Sequence, residues 1–263
     1  MLQSIAVFLI AGAFAGLLSG LFGVGGGLIL VPVLTFVLPH LGVPPVAVVQ
    51  TAIGTSLAVI ACHSMASAHA HHGRGGVLWA VVGRMAPGLA IGSFLGAYVA
   101  HLLSGAALKH IVAVGAVLIA IQMALDLKPK AMKPLPGPIG QATAGGIIGV
   151  ASALVGIGGG SLTVPFLSWR SVDMKQAVGT SAACGIVIAA AGALGFTLTG
   201  LSAVGHGPYT LGYLHVPGFI TLMIASVATS GFGAKLAHRL PARILKRAFA
   251  VFLCCVAVAL WLV

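Results

Sequence analysis

The residues whose types and spacing could do chemistry are glycines and hydroxyls, with scarcely a carboxylate among them. Gly25, Gly26 and Gly27 stand at the head of an apolar run that contains Pro32, and Gly158, Gly159, Gly160 and Ser161 head a second run that contains Pro165. Glycine reaches backbone angles closed to other residues, so a glycine triplet interrupts a helix and leaves unpaired amides at the start of the next one. Those amides, backed by the positive end of the helix dipole, suit an oxyanion that the bare backbone lets approach closely. The competing reading is that glycine only lets membrane helices pack tightly, which holds for scattered residues such as Gly12, Gly16 and Gly92. A repeated triplet followed by proline points instead to a substrate-facing break.

Two hydroxyl pairs follow the breaks: Thr55 and Ser56 after Gly54, and Thr180 and Ser181 after Gly179. Hydroxyls can donate to an oxyanion without a charge being buried, although a lone Thr or Ser more often bonds back to its own helix. Arg84 is the one basic residue well inside an apolar run, roughly 10 Å from its start at 1.5 Å per residue. It either snorkels to the interface or draws an anion into a vestibule. His63, seven residues beyond Ser56, is a candidate to carry a coupling proton. His69, His71 and His72 sit together at a segment end, where an interfacial role suffices, and no zinc-protease motif occurs, so neither metal nor other cofactor is expected. The four cysteines lie in apolar runs without a CxxC spacing and read as packing residues.

The elements that must position these residues come in duplicate. Gly23 to Leu34, GVGGGLILVPVL, recurs as Gly156 to Leu167, GIGGGSLTVPFL, displaced by 133 positions. The Gly54-Thr55-Ser56 triplet recurs as Gly179-Thr180-Ser181, and the pattern of Gly96, Ala97, Ala100, His101, Leu108 and Lys109 returns as Gly233, Ala234, Ala237, His238, Leu245 and Lys246. Such ordered self-similarity marks a duplication. Each half divides into five apolar segments: 4–22, 27–40, 44–70, 77–103 and 107–125, then 139–156, 161–169, 175–200, 212–238 and 243–262. The second of each half is too short for an upright span and reads as half-length or re-entrant. The expected organisation is a first membrane repeat over 1–125, a cytoplasmic linker over 126–138 and a second repeat over 139–263. Met1 to Phe22 resembles a signal peptide in hydropathy, but the duplication needs it retained.

Composition agrees with a polytopic all-α membrane bundle. Of 263 residues, 59% are apolar and 6% charged, far below the share of about a quarter that a soluble surface carries. The runs do not alternate with period two, which disfavours a transmembrane β-barrel. The net charge of +11 is spread between apolar runs, so it reads as the positive-inside rule and not as a nucleic-acid surface. If five segments per half all cross, every loop lysine and arginine except Lys109 falls on one side. Four crossings per half would move Arg74, Lys128, Lys130 and Lys133 away from the rest. The first arrangement predicts inverted repeats with both termini facing outward. Only two residues are acidic, Asp126 and Asp173, both at segment ends. A cation carrier usually needs intramembrane carboxylates, so the substrate should be a small anion or a neutral molecule.

The duplicated GxGGGxxxVPxL segment with its following GTS triplet resembles the TauE/SafE sulfite exporter family over essentially the whole chain. The resemblance implies a multi-pass carrier of the bacterial inner membrane, made of two related halves, that exports sulfite, sulfoacetate or a related sulfur-containing anion without ATP hydrolysis. No GxxxxGK[ST] sequence is present. It implies binding roles for Gly23 to Gly27, Gly156 to Gly160, Pro32, Pro165 and the two GTS triplets, and none for Arg84 or His63. Three other readings stay open: an anion channel at the same glycine site, an importer of thiosulfate or another small anion, and an intramembrane metalloenzyme, which would need three converging histidines. The bilayer, the anion and a second copy of the chain are the expected partners.

Overall fold

A computed structural model describes residues 2–22, 26–124, 134–203, 207–237, 250–255, 257–259 and 261. Gly25, the linker lysines and the basic stretch from Arg239 to Arg247 lie outside these residues. Among them nine α-helices occur in chain order: α1 (Leu2–Phe22), α2 (Gly27–Val37), α3 (Val48–His72), α4 (Trp79–Leu102), α5 (Gly105–Ala124), α6 (Pro138–Val155), α7 (Gly160–Trp169), α8 (Met174–Leu201) and α9 (Val216–Ala237). Residues 250–255 and 257–259 are helical as well. Five helices, α3, α4, α5, α6 and α8, are long and apolar enough to cross a membrane. Large apolar side chains stand outward all around the bundle, Ile10, Ile139 and Ile147 each more than 70% exposed, as a lipid-facing surface requires and a soluble one avoids.

Local chemistry sets the breaks. Gly26 and Gly156 both take the left-handed conformation, with φ of 71° and 73°. At the end of α6 the amides of Gly156 and Ile157 both turn back to the Ser152 carbonyl, which closes the helix. α2 and α7, eleven and ten residues long, start immediately after the two breaks, as expected for half-length pieces. Pro138 opens α6, and the Asp173 carboxylate caps α8 by accepting from the Lys175 amide at 2.9 Å. One element departs from the expected helices. Residues 212–215, assigned to the ninth segment, belong to a short antiparallel hairpin pairing Thr210 with His215 and Leu211 with Leu214. Its turn needs Gly212 at φ 57°, and a Cβ there would also lie 2.0 Å from the Thr197 carbonyl oxygen.

The packing exchanges helices between the halves. α4 lies along α6, and α1 lies along α9. Glycines make both contacts, and they match position for position. A Cβ on Gly145 or Gly149 of α6 would strike the carbonyl oxygens of Met85 and Leu89 on α4. One on Gly12 or Gly16 of α1 would strike those of Leu222 and Ser226 on α9. Opposed residues advance together along each pair, so both pairs run parallel. The equivalent helices α3 and α8 instead face each other antiparallel: Gly179 lies against His71, Gly185 against Ser64, Gly192 against Leu57 and Phe196 against Gly54. With no water to expel between lipid-bathed helices, this close backbone contact supplies the cohesion through dispersion.

At the α4–α6 crossing a Cβ on Gly88 would sit 1.8 Å from the Ala142 carbonyl oxygen, whereas one on Gly83 meets nothing within 4 Å. Gly88→Val should therefore cost more than about 2 kcal/mol through overpacking and backbone displacement, while Gly83→Val changes little. Thermal unfolding of the two variants in detergent measures the difference.

Candidate functional site at the paired glycine breaks

The two breaks meet at the centre of the bundle. A Cβ on Gly27 would lie 2.2 Å from the Gly156 carbonyl oxygen, so the start of α2 touches the end of α6 backbone to backbone. Ser56 donates to the same carbonyl at 3.4 Å, and Gly156 packs on Val31 and Ile53. Sequence reasoning selected these residues in each half; the structure brings the first half's Gly27 and Ser56 onto the second half's break. Gly26, Gly158 and Gly159 are buried around the junction, and Gly160 begins α7.

The GTS triplets join the halves. Thr55 Oγ1 accepts the His215 amide at 2.9 Å, and Thr180 Oγ1 accepts the Leu78 amide at 3.0 Å. His215 and Leu78 immediately precede α9 and α4, so each threonine caps the fourth helix of the other half. The preceding glycines make room for this: a Cβ on Gly54 would lie 2.4 Å from the Tyr213 oxygen, and one on Gly179 would lie 2.3 Å from the Gly76 oxygen. Both threonines are fully buried. One lone pair of each is thus committed to the fold, and the hydroxyl hydrogen remains available to donate.

Around the start of α7 the polar groups stay unmatched. On α7, Ser161 Oγ and Thr163 Oγ1 are buried with no hydrogen-bond partner among the described residues, as is Ser181 Oγ on α8. Thr163 Oγ1 lies 3.2 Å from the point a Gly159 Cβ would occupy, and the Gly185 amide 3.4 Å from it. Across from them, Ser64 Oγ of α3 is 2.9 Å from the corresponding point on Gly185, with the Gly159 amide at 3.7 Å. The first amides of α7 have no helical acceptor and point the same way. Thr163, Ser64 and a helix N-terminus, with no described carboxylate beside them, form a donor-rich place suited to an oxyanion.

His63 is buried on α3 with Nε2 against Ser226 Oγ of α9, while Nδ1 has no partner among the described residues. Arg84 stands exposed on α4, away from the junction. The remaining histidines are dispersed: His72 accepts from Trp79 at 3.0 Å, His101 pairs with Tyr213 at 3.0 Å, and no three metal-binding side chains gather among the described residues. A cavity of about 680 Å³ opens between α5, α6 and α7, but apart from Gln122 and Ser161 its lining is apolar, including Ile147, Phe166 and Trp169. A hydrated anion gains nothing there. Ser64, Thr163 and Ser226 escaped sequence reasoning. Thr163 was nonetheless legible, since it replaces Leu30, as Ser161 replaces Leu28, in the duplicated segment.

An outer surface of exposed aliphatic side chains, interrupted helices at the centre and an interior donor cluster define a multi-pass membrane transporter. The family described as Sulfite exporter TauE/SafE matches residues 8–260, and the chain belongs to it. It is 38% identical over the full length of both chains to a probable membrane transporter protein of Haemophilus influenzae. It is also 28% identical to one of Methanocaldococcus jannaschii, over 89% of this chain and 86% of that one. No solved structure gives a significant match.

Removing either GTS oxygen leaves an amide unpaired, buried at His215 and half-buried at Leu78. Thr55→Val and Thr180→Val should each lose about 1–3 kcal/mol, and Thr→Ser at the same positions should recover most of it. Melting temperatures that stay unchanged while transport falls would show that the threonines act on substrate and not on the fold.

Proposed function

We propose that this transporter is a secondary carrier that exports a small sulfur-containing anion, sulfite foremost, by alternating access between two inverted repeats. The observation that carries this reading is the meeting of the two glycine breaks, Gly27 against Gly156, beside unpartnered hydroxyls and the free amides of α7. Interrupted helices at the interface of two repeats are where carriers hold substrates, because irregular backbone in a membrane is stable only where protein or ligand satisfies it. Asp173 is exposed at the start of α8, so no described carboxylate opposes an anion at the centre.

The antiparallel course of α3 and α8 supports the inverted arrangement. A two-fold that relates equivalent membrane-crossing helices and reverses their direction lies in the bilayer plane. The positive-inside distribution favours the same arrangement. The exchanged pairs α1–α9 and α4–α6 are natural rigid units, and rocking one against the other would part α3 from α8 at Gly185. A membrane potential negative inside favours outward movement of an anion by about 2.3 kcal/mol per charge per 100 mV, so export needs no nucleotide.

Proteoliposomes loaded with sulfite, thiosulfate, sulfate or sulfoacetate, with the same anions radiolabelled outside, test the reading. Sulfite should enter faster than the others, and unlabelled sulfite on the opposite side should stimulate its movement severalfold. High flux without trans-stimulation would mark a channel, preference for thiosulfate an importer or broader carrier, and failure of all four anions to move would end the proposal.

A further inference from the structure

The duplicated halves do not carry the same side chains at their breaks, and the differences follow a pattern. In the first half, the positions equivalent to Ser161, Thr163 and Gly185 are Leu28, Leu30 and Ile60. Leu28, Leu30 and Ile60 are buried, and the Ile60 Cδ1 atom lies 2.8 Å from where a Gly27 Cβ would be. Each break thus meets an isoleucine methyl, Ile188 Cδ1 lying 2.8 Å from the Gly159 Cβ position, but only the second has a hydroxyl beside it, that of Thr163 at 3.2 Å. The reverse holds one turn further along the central helices. The first half places His63 against Ser226, whereas the equivalent residues of the second half are Ile188 and Leu89, both fully buried in one apolar cluster. The unmatched Thr163 hydroxyl and the His63 ring thus each lack a polar counterpart in the other half.

We propose that the duplication has divided the work of transport: the second break binds the oxyanion through Thr163, Ser64 and the first amides of α7, and the first break carries a co-transported proton on His63. The inference rests on the anion-carrier reading above. It does not follow from α7's N-terminus alone, since Thr163 Oγ1 is fully buried, unpartnered among the described residues and 3.2 Å from the Gly159 Cβ position. Hydrogen bonding determines which histidine nitrogen is free. Ser226 donates its hydroxyl to the Met223 carbonyl at 3.2 Å, so its oxygen must accept from His63, which places the ring hydrogen on Nε2. Nδ1 is then the basic nitrogen, and it faces no partner among the described residues.

The surroundings of His63 hold few competing groups. α1, α2 and α6 contain no titratable side chain, α8 brings buried Cys184 and, at its far end, Lys175, and α9 has only Lys235, nine positions beyond Ser226. On α3 itself lie Cys62 and, in its last turn, His69, His71 and His72; residues 38–41 bring His40, β2 brings His215 and α5 brings Lys109 and His110 at its start. No carboxylate faces the ring from any of these elements. His63 and Ser64 are consecutive on α3, one turned to α9 and the other to Gly185, so a shift of this single helix alters both sites together. That is the geometric requirement for coupling the two loads. A proton taken up beside a bound anion also lowers the net charge buried in the bilayer.

Full-length protein in proteoliposomes, with radiolabelled sulfite as the probe, tests the division. Two quantities are read: sulfite exchange, which gives KM, and accumulation driven by a pH gradient at zero membrane potential. Thr163→Val should raise KM at least tenfold with unchanged melting temperature, Thr163→Ser should restore it, and Leu30→Thr should leave KM within about twofold. His63→Gln keeps the donation to Ser226 but cannot take a proton, and it should lower the ratio of pH-driven accumulation to exchange at least tenfold. His63→Ile, copying the second half, should do the same. Equal effects of Thr163→Val and Leu30→Thr would overturn the anion assignment, and an unchanged ratio in both His63 variants would overturn the proton assignment. A wild-type protein that moves no sulfite at all defeats the carrier reading itself; normal wild-type transport with indifferent variants defeats only the division.

Discussion

The bundle depends on one constraint: inside a bilayer, every amide at a helix start needs an acceptor from the protein itself. The helices that follow the central crossing, α4 and α9, begin at half-buried Leu78 and at buried His215. Each takes its acceptor from the other half, through Thr180 and Thr55. These two bonds, with Gly54 and Gly179 cut back to let the chains approach, tie the starts of α4 and α9 to the central pair α3 and α8. The exchanged pairs α1–α9 and α4–α6 then hang from that centre, and α2 and α7 fill the space beside it. A residue with a side chain at Gly54 or Gly179 would push out the very segments whose amides the neighbouring threonines receive.

The same crossing explains why a symmetric frame can hold an asymmetric site. Backbone contacts between the halves are duplicated closely: Gly12 and Gly16 mirror Gly145 and Gly149, down to the carbonyl oxygens they meet. Side chains facing the breaks are not. Thr163 is one heavy atom smaller than Leu30, and it adds a hydrogen-bonding group that is costly to bury without a partner. An unmatched hydroxyl retained in a membrane interior calls for a ligand. Matched leucines at the equivalent break call for none.

Much of this was legible in the sequence. The number and order of helices, the half-length α2 and α7, the breaks at the glycine triplets and the membrane setting all follow from run length, glycine placement and the scarcity of charge. These are local properties, or properties of repetition, and need no knowledge of which segment touches which. The hairpin at Thr210–His215 was not legible, because its apolar residues continue the hydropathy of α9. Only the left-handed Gly212 and the demand of Thr55 for an amide set it apart. Arg84 read either as snorkelling to the interface or as a vestibule residue, because position in a run was the sole guide to depth. On the folded helix it faces outward, a matter of angle about the axis that hydropathy in so apolar a helix does not report.

The sequence by itself determined a duplicated helical membrane protein of the TauE/SafE family, with two glycine breaks and almost no acidic residues, because hydrophobic length and backbone freedom are written residue by residue. Only the tertiary structure decided what those residues do to one another. It set the threonines of each GTS triplet to receive the other half's amides, brought Gly27 onto Gly156, and put Ser64 beside Gly185 while His63 turns to Ser226. The reason is physical. Hydrogen bonds and close approach depend on distances between residues more than a hundred positions apart, and those distances exist only once the halves have interlocked.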